Sequence, residues 1–560
     1  MSEEEIIRGD QGAKFDEYLN RITPFGFSGA FLAAGNGEVI VNKGYGMAIR
    51  EKNIRNTAKT VFSIGSLTKQ FTATAILKLE MQGKLNTNDH VAKFVNNVPA
   101  DKENITVHHL LTHTAGVINH IGNDYEVAYR DETIQKILDS PLLFSPGKRF
   151  KYSNAGYSLL AAVIEFVSGQ PYEKYLSDHL FKPAGMIVTG YSLPNWKERV
   201  IANWYVGKTN NGTHLERPYP YWNLIGNGGI LSTTEDMYNW YLALKSDSIL
   251  SSEIKKKLFT PFLENYAYGW DVSKTEHGTV IQHDGGNNLG SSAHFKWLQD
   301  HDLVAVLLCN QSYGRQDLVR QVKDKIEKIA FGQDITVPPT VLDTIPSAFS
   351  GLEGTYELST DGYLIISSEN NALKLTPKGQ DAIDAIFSGE DKPSRYTHLN
   401  HRAARLFQAT VQGDYGYFKG ELEDEARMKS WQKIIAGSLG NEKLVGSAVE
   451  IKVIGTFVFP RKKGVMETII QLKYEERTVE VGLLWLPDGK LWGMTTEPDI
   501  PFTLLVPIAE YVFTGYHLGS ARTVRVSFGF NDSGSTAGLA IHTNKGDVIA
   551  RKVENDEENH

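Results

Sequence analysis

Cysteine is nearly absent. The 560 residues hold one, Cys309, so no intrachain disulfide can form and no cross-linked framework is available. Its setting, "DLVAVLLCNQS", is an apolar run that reads as a buried strand, where a thiol stays protonated and inert. No apolar run is long enough to span a bilayer. The first residues, "MSEEEIIRGD", are acidic and lack the apolar stretch of a secretory leader. The chain therefore reads as cytoplasmic, and a mature form cut from a precursor would look the same. A basic excess is missing too: 58 Lys+Arg stand against 66 Asp+Glu, a formal net charge of -8. That gives no reason to expect nucleic acid or an anionic membrane as partner. There is no G-x-S-x-G, so a nucleophile-elbow α/β-hydrolase is unsupported, and there is no glycine-rich phosphate loop.

What is present is an ordinary globular composition, 41% hydrophobic and 22% charged, in a length that suggests about three or four domains. Residues 26–49 alternate and turn at "GNG", a β-hairpin. Helical patterns dominate from 66 to about 245. Then "TVIQHDGG", "SSAHFKWLQ" and "LVAVLLCN" read as three further strands. An early hairpin, a helical middle and late strands can share one antiparallel sheet, which makes an α+β catalytic unit over 1–333. The prolines of "DITVPPTVLDTIP" mark a linker at 334–347. Short strands then dominate, and the first and last sets read as one lipocalin-like β-barrel, 348–389 plus 503–553. Residues 390–502, where helical periodicity returns before more strands, form an α+β insertion. Asn370-Asn371 suits a turn between two barrel strands. The tail tryptophans Trp485 and Trp492 read as core residues rather than a ligand platform.

One stretch carries chemistry: "VFSIGSLTKQFTATAILKLEMQGKL". A serine hydroxyl is a poor nucleophile at neutral pH and needs a base nearby. Positions i and i+3 share a helix face, so Lys69 can aim its amine at Ser66. A desolvated lysine has a lowered pKa and can accept a proton. An amphipathic helix from Ser66, with Phe71, Ala75 and Leu79 on one face and Gly83 as its stop, would also set its N-terminal N–H groups near the developing charge. S-x-x-K alone says little: it occurs at Ser66, Ser145, Ser252 and Ser430. Y-x-N, at Tyr152-Ser-Asn154, recurs at Tyr18 and Tyr221. Only from Ser66 does an ordered set follow, with Tyr152 and Asn154 before an apolar helix and His283, Gly285 and Gly286 at the end of a strand.

With these motifs the chain resembles the serine β-lactamase and penicillin-binding-protein superfamily. The tyrosine motif resembles its class C-like branch of esterases, D-aminopeptidases and DD-carboxypeptidases. "TVHHLLTHTAG", "YSNAGYSLLAAVIEFVSG", "LFKPAGM", "GNGGILSTTEDMYNW" and "YGWDV" extend the likeness over about residues 15–330. The resemblance implies an antiparallel sheet with a helical cluster, and an acyl-enzyme. Ser66 would attack a carbonyl, Lys69 and Tyr152 would share the base and acid work, and Asn154 would orient Lys69 and the substrate amide. The N–H groups of Ser66 and Gly286 would form the oxyanion hole, and Gly285 and Gly286 would leave room for substrate along the strand edge. A lysine beside Tyr152 is expected to lower the tyrosine pKa.

The third motif departs from the family. β-Lactamases carry Lys-Thr-Gly; here it is His283-Asp284-Gly285. A neutral imidazole in place of an ammonium favours small esters, amides or D-amino-acid peptides over β-lactams, with β-lactamase or DD-carboxypeptidase action as the alternative. A protein acylated at Ser66 without turnover, acting as a sensor, is the reading from another class. His109 and His113 stand at i,i+4, but no neighbouring glutamate or third ligand completes a zinc site, so neither metal nor other cofactor is expected. His120 reads as a surface-loop residue. The expected partner is a small ester, amide or peptide substrate; nothing in the sequence sets an oligomeric state.

Overall fold

The computed structural model describes residues 5–553 except 220, 313–317, 343–348, 350, 361, 370–371, 388–393, 412–449, 459–463, 475–477, 496–497, 499–500, 518–521 and 544–545. The Asn370-Asn371 turn, the periodicity at 424–440 and Ser430 lie outside the described residues. The chain divides into two compact units, Met1–Ile335 and Thr336–His560.

The first unit is built on a seven-stranded sheet. Its order is Ile6–Ile7, Glu38–Tyr45, Gly29–Gly35, Leu303–Cys309, Ser292–Leu298, Gly278–Gly286 and Asp271–Thr275, every pair antiparallel. The expected hairpin and the three late strands thus meet in one sheet. Leu303–Cys309 is buried along its whole length because both sheet faces are covered, which is why it reads as a continuous apolar run rather than an alternating one. Phe31 turns to one face, against Phe15 of the helix Gly9–Ile22 at 5.2 Å between ring centroids. Leu32, Val304, Val306 and Phe295 turn to the other and join the core of the helical cluster.

At the centre of that cluster lies the helix Thr68–Met81. It is not amphipathic, as its sequence suggested. Residues Thr68 to Leu77 are all buried, whichever side they face. Some of its polar side-chain atoms find partners inside, whereas Thr68 Oγ1, Gln70 Nε2 and Thr74 Oγ1 are buried without one. Thr72 Oγ1 donates to the Gly226 carbonyl at 2.6 Å and meets the Tyr172 hydroxyl at 2.5 Å, and Gln70 Oε1 accepts from Trp240 Nε1 at 3.1 Å. Ser66 sits not in its first turn but in a preceding 3₁₀ turn, Gly65–Leu67. The helix runs out at Met81, with Gly83 at φ 72° just beyond.

The second unit holds a closed eight-stranded antiparallel barrel: Gly354–Ser359, Gly362–Glu369, Ala372–Lys378, Thr503–Ala509, Val512–His517, Arg522–Phe530, Thr536–Thr543 and Gly546–Lys552. The fold class expected from the sequence, a β-lactamase-like α+β unit followed by a β-barrel with an α+β insertion, is the one observed. Thr503–Ala509 was not legible as a strand, since an internal proline argues against one. The sheet tolerates Pro507 at a register shift between Pro507 and Ala509. Between the third and fourth barrel strands run the helices Gln380–Phe387 and Ser394–Val411 and a four-stranded sheet, Glu450–Val458, Met466–Lys473, Thr478–Trp485 and Leu491–Thr495. Leu399, Ala403 and Leu406 of the longer helix pack on Ile470, Leu483 and Trp485. Trp485 is indeed core, its Nε1 donating to Thr468 Oγ1 at 2.8 Å, whereas Trp492 is 37% exposed. Among the described residues no helix is long and apolar enough to cross a membrane.

Enclosure of the helix Thr68–Met81 has a direct test. Ala73 lies opposite the Phe71–Ala75–Leu79 stripe, yet is fully buried. Ala73→Glu should cost roughly 3–5 kcal/mol, the scale of an uncompensated buried charge. Met81→Glu, at a 40% exposed position, should stay within about 1 kcal/mol. Denaturant unfolding of both variants checks this, and equal small effects would restore the amphipathic helix.

Candidate active site

Three backbone segments converge on Ser66, and glycines let them approach. A Cβ on Gly65 would lie 2.2 Å from the Gly286 nitrogen, and one on Gly285 would lie 2.1 Å from the Ile64 carbonyl oxygen and 3.0 Å from the Ser66 nitrogen. Gly65 also has φ 51°, in the left-handed region that glycine enters without steric cost. The turn carrying Ser66 therefore lies directly against the strand Gly278–Gly286. That strand's outer neighbour pairs with it only as far as Gln282, so residues 283–286 have no strand on that side among the described residues.

Lys69 is buried with no exposed surface. Its Nζ is 2.9 Å from Ser66 Oγ, 2.7 Å from Asn154 Oδ1 and 2.7 Å from the Asn227 carbonyl. Burial holds its pKa well below the usual lysine range. A neutral amine has two N–H donors and one lone pair. Asn154 and Asn227 offer only acceptors there and consume both donors. The lone pair is left for the hydroxyl of Ser66. Asn227 was not picked out from the sequence, although its "GNGG" setting was quoted. It contributes a main-chain oxygen, which no side-chain motif announces. Its own side chain is fixed by donating to Ser158 Oγ and the Asn223 carbonyl, both at 2.8 Å.

Tyr152 is half-buried and hydrogen-bonded to Ser66. Lys69 Nζ lies 4.8 Å from the centre of its ring. Burial pushes its pKa up, against the opposing effect of the Ser66 hydrogen bond. The expectation of a depressed pKa is overturned: it assumed a full cation at Lys69, whereas burial lowers the Lys69 pKa and raises that of Tyr152. Asn154 opens the helix Asn154–Ser168, and its Nδ2 is 3.4 Å from the ring nitrogens of His120. His120 is thus a cleft-side residue as well as a surface one.

His283 is 7% exposed. Its Nδ1 donates to the Asp284 carbonyl at 2.6 Å, and its Nε2 accepts from the Tyr266 hydroxyl at 3.0 Å. Burial above all holds its pKa down to about 4. The low pKa favours a neutral ring, as expected, and both nitrogens are already taken, so neither is free to hold a substrate carboxylate. Asp284 points to the other face of the sheet, to His294 Nδ1 at 2.6 Å and Lys323 Nζ at 2.7 Å.

The other two S-x-x-K sites among the described residues make no such contact. Ser145 is exposed in a turn, and Ser252 Oγ donates to Asp247. The i,i+4 histidines part company. His109 Nδ1 accepts from the Thr106 N–H at 3.2 Å, capping its own short helix, whereas His113 turns inward to Ser153.

The buried histidines give stability a definite pH dependence. His214 and His283 are both held at about 4 by burial, against about 6.5 in an unfolded chain. Between those values the unfolded state binds protons that the folded state refuses, so stability rises with pH across the window. At pH 5 each histidine should cost roughly 2 kcal/mol relative to pH 7. Thermal unfolding at the two pH values checks this, and His283→Asn should flatten the slope.

Comparison with known proteins agrees with this geometry. Residues 23–325 match the family model described as Beta-lactamase. The chain is 38% identical over 285 residues to the putative penicillin-binding protein PbpX of Bacillus subtilis, covering 50% of this chain and 71% of that one. It is 28% identical over 397 residues to penicillin-binding protein 4* of the same organism, covering 65% and 87%. Among solved structures, the octameric penicillin-binding protein homologue from Pyrococcus abyssi shares the fold at TM-score 0.52 and 19% identity, covering 97% of this chain and 100% of that one. The chain belongs to the Beta-lactamase family, within the serine β-lactamase and penicillin-binding-protein superfamily.

Proposed function

We propose that the protein is a serine hydrolase acting through an acyl-enzyme at Ser66 on small neutral or amine-bearing esters and amides. The observation that carries this is the buried Lys69 amine, 2.9 Å from Ser66 Oγ with both its donors spent on Asn154 and Asn227. Lys69 takes the Ser66 proton as Oγ attacks the carbonyl carbon. The oxyanion forms between the N–H groups of Ser66 and Gly286, which the glycine contacts bring side by side. Tyr152, a neutral phenol hydrogen-bonded to Ser66, gives its proton to the leaving oxygen or nitrogen and recovers one from the Lys69 ammonium. Water then attacks the ester by the reverse proton path.

The substrate class follows from charge. Lys69 and His283 are neutral, so neither holds a carboxylate. Asp124 lies on a loop that spans the cleft, with His120 near Asn154 on one side and Tyr125 accepting from Asn287 at 3.4 Å on the other. Its carboxylate is 4.0 Å from His120, and among the described residues no lysine or arginine pairs with it. That favours substrates with a free amino group, in the manner of a D-amino-acid amidase or peptidase, over penicillins and cephalosporins.

Three results test the reading. A fluorophosphonate should label the wild type at Ser66, and Ser66→Ala should remove the label; retained labelling would place the nucleophile elsewhere, and labelling without turnover would favour the acylated sensor. Tyr152→Phe should lower kcat for a methyl ester by ~10²–10⁴ with KM little changed. In a substrate panel, D-alanine methyl ester should outrun its N-acetyl form by about fivefold or more in kcat/KM, the margin of a charged over a neutral hydrogen bond. Asp124→Asn should erase that margin. A tenfold preference for free carboxylic acids would contradict the charge argument.

A further inference from the structure

His113 has no role in the chemistry above, yet it makes the closest ring contact to Tyr152, at 4.2 Å between centroids. Its carbonyl accepts the Lys151 N–H at 2.9 Å, and its Nδ1 accepts the Ser153 N–H at 3.1 Å. The Tyr152–Ser153 peptide and the Phe150–Lys151 peptide one residue upstream therefore both hang from one residue. To present carbonyl and ring to the same segment, His113 adopts φ 57°, a region few non-glycine residues enter.

A second local cost accompanies the first. Because Nδ1 accepts, the ring proton sits on Nε2, and that buried atom has no hydrogen-bond partner. It faces the rings of Tyr157 and Tyr266, at 5.0 and 4.6 Å from the imidazole centroid. A buried N–H without a partner and a left-handed backbone each work against stability. Helix capping does not account for them. The helix Asn154–Ser168 is already capped by Ser153 Oγ, which accepts the Gly156 N–H at 2.9 Å.

We infer that His113 is a positioning residue that aims the Tyr152 hydroxyl at Ser66 and at the leaving group, by holding the N–H groups of Lys151 and Ser153 and packing its ring on the phenol. The inference rests on the proposed role of Tyr152 as proton donor. It gives that role a supporting element: Lys69 is fixed by its own hydrogen bonds, whereas the phenol on its half-buried segment is held from behind by His113.

The test compares a methyl ester, whose leaving alkoxide needs a proton, with the 4-nitrophenyl ester of the same acid, whose leaving group does not. Three variants separate backbone from side chain. His113→Gly permits the left-handed backbone without an acceptor, His113→Asn permits it and restores an acceptor near Nδ1, and His113→Ala does neither. In His113→Gly, kcat for the methyl ester should fall on the order of 10²-fold, the cost of a misplaced group. KM and the nitrophenyl rate should change little. His113→Asn should recover about tenfold of the loss. In a Tyr152→Phe background, His113→Gly should add almost nothing, since both changes act through one phenol.

Equal losses on both esters, no recovery in His113→Asn, or full additivity with Tyr152→Phe would each overturn the inference and leave the proposed function standing. Melting temperatures identify a variant that fails to fold. If His113→Gly and His113→Ala both fail, His113→Asn still decides by its ester ratio against wild type. A wild type that turns over neither ester removes the proposed function, and this inference falls with it.

Discussion

The active-site end of the first unit depends on burying one amine. Lysine carries its charge at neutral pH wherever water reaches it, and an ion in a dry interior costs several kcal/mol. Burial of Lys69 holds its pKa well below the usual lysine range, which reduces that cost. A neutral amine is then useful only if its lone pair is aimed, and two hydrogen bonds of 2.7 Å turn it toward Ser66. The surrounding architecture serves that arrangement. A helix enclosed on all sides keeps water from the amine. The Asn227 main chain is pinned by its own side chain. Gly65 and Gly285 let the Ser66 turn touch the strand that carries Gly286.

The same burial sets the rest of the site. Tyr152 is raised and His283 lowered for one reason, the expense of charge in a dry cavity. Burial thus disfavours charge on the groups of the cleft floor, and the carboxylate of Asp124 on the covering loop lies 4.0 Å from His120. This is a different electrostatic setting from one in which a third-motif lysine holds a carboxylate. The sheet separates the two regimes. Asp284, one residue from His283, turns to the opposite face, where it accepts a hydrogen bond from His294 and forms an ion pair with Lys323.

Much of this was legible in the sequence, and the reasons are local. Ser66 and Lys69 share a face across three residues, and strands buried on both sides announce themselves as apolar runs. Side-chain motifs therefore named Lys69, Tyr152, Asn154 and His283 as neighbours. What stayed hidden depends on the third dimension. The carbonyl of Asn227 has no side-chain signature. His113 was noticed as half of a histidine pair, but its link to Tyr152 needs a left-handed backbone that spacing does not reveal. The strand holding Pro507 is masked by a residue that ordinarily breaks one. The tyrosine pKa was misjudged because burial of Lys69, which reverses the sign, is a property of packing.

The most direct measurement is the protonation of Lys69 itself. Lysine labelled with ¹⁵N at Nζ, with the Lys69→Met variant to assign the signal, allows the amine to be titrated by NMR. The account predicts a neutral-amine shift at pH 7.5, with protonation only well below the ordinary lysine range. An ammonium shift at pH 7.5, titrating near 10.4 as an exposed lysine does, would contradict it.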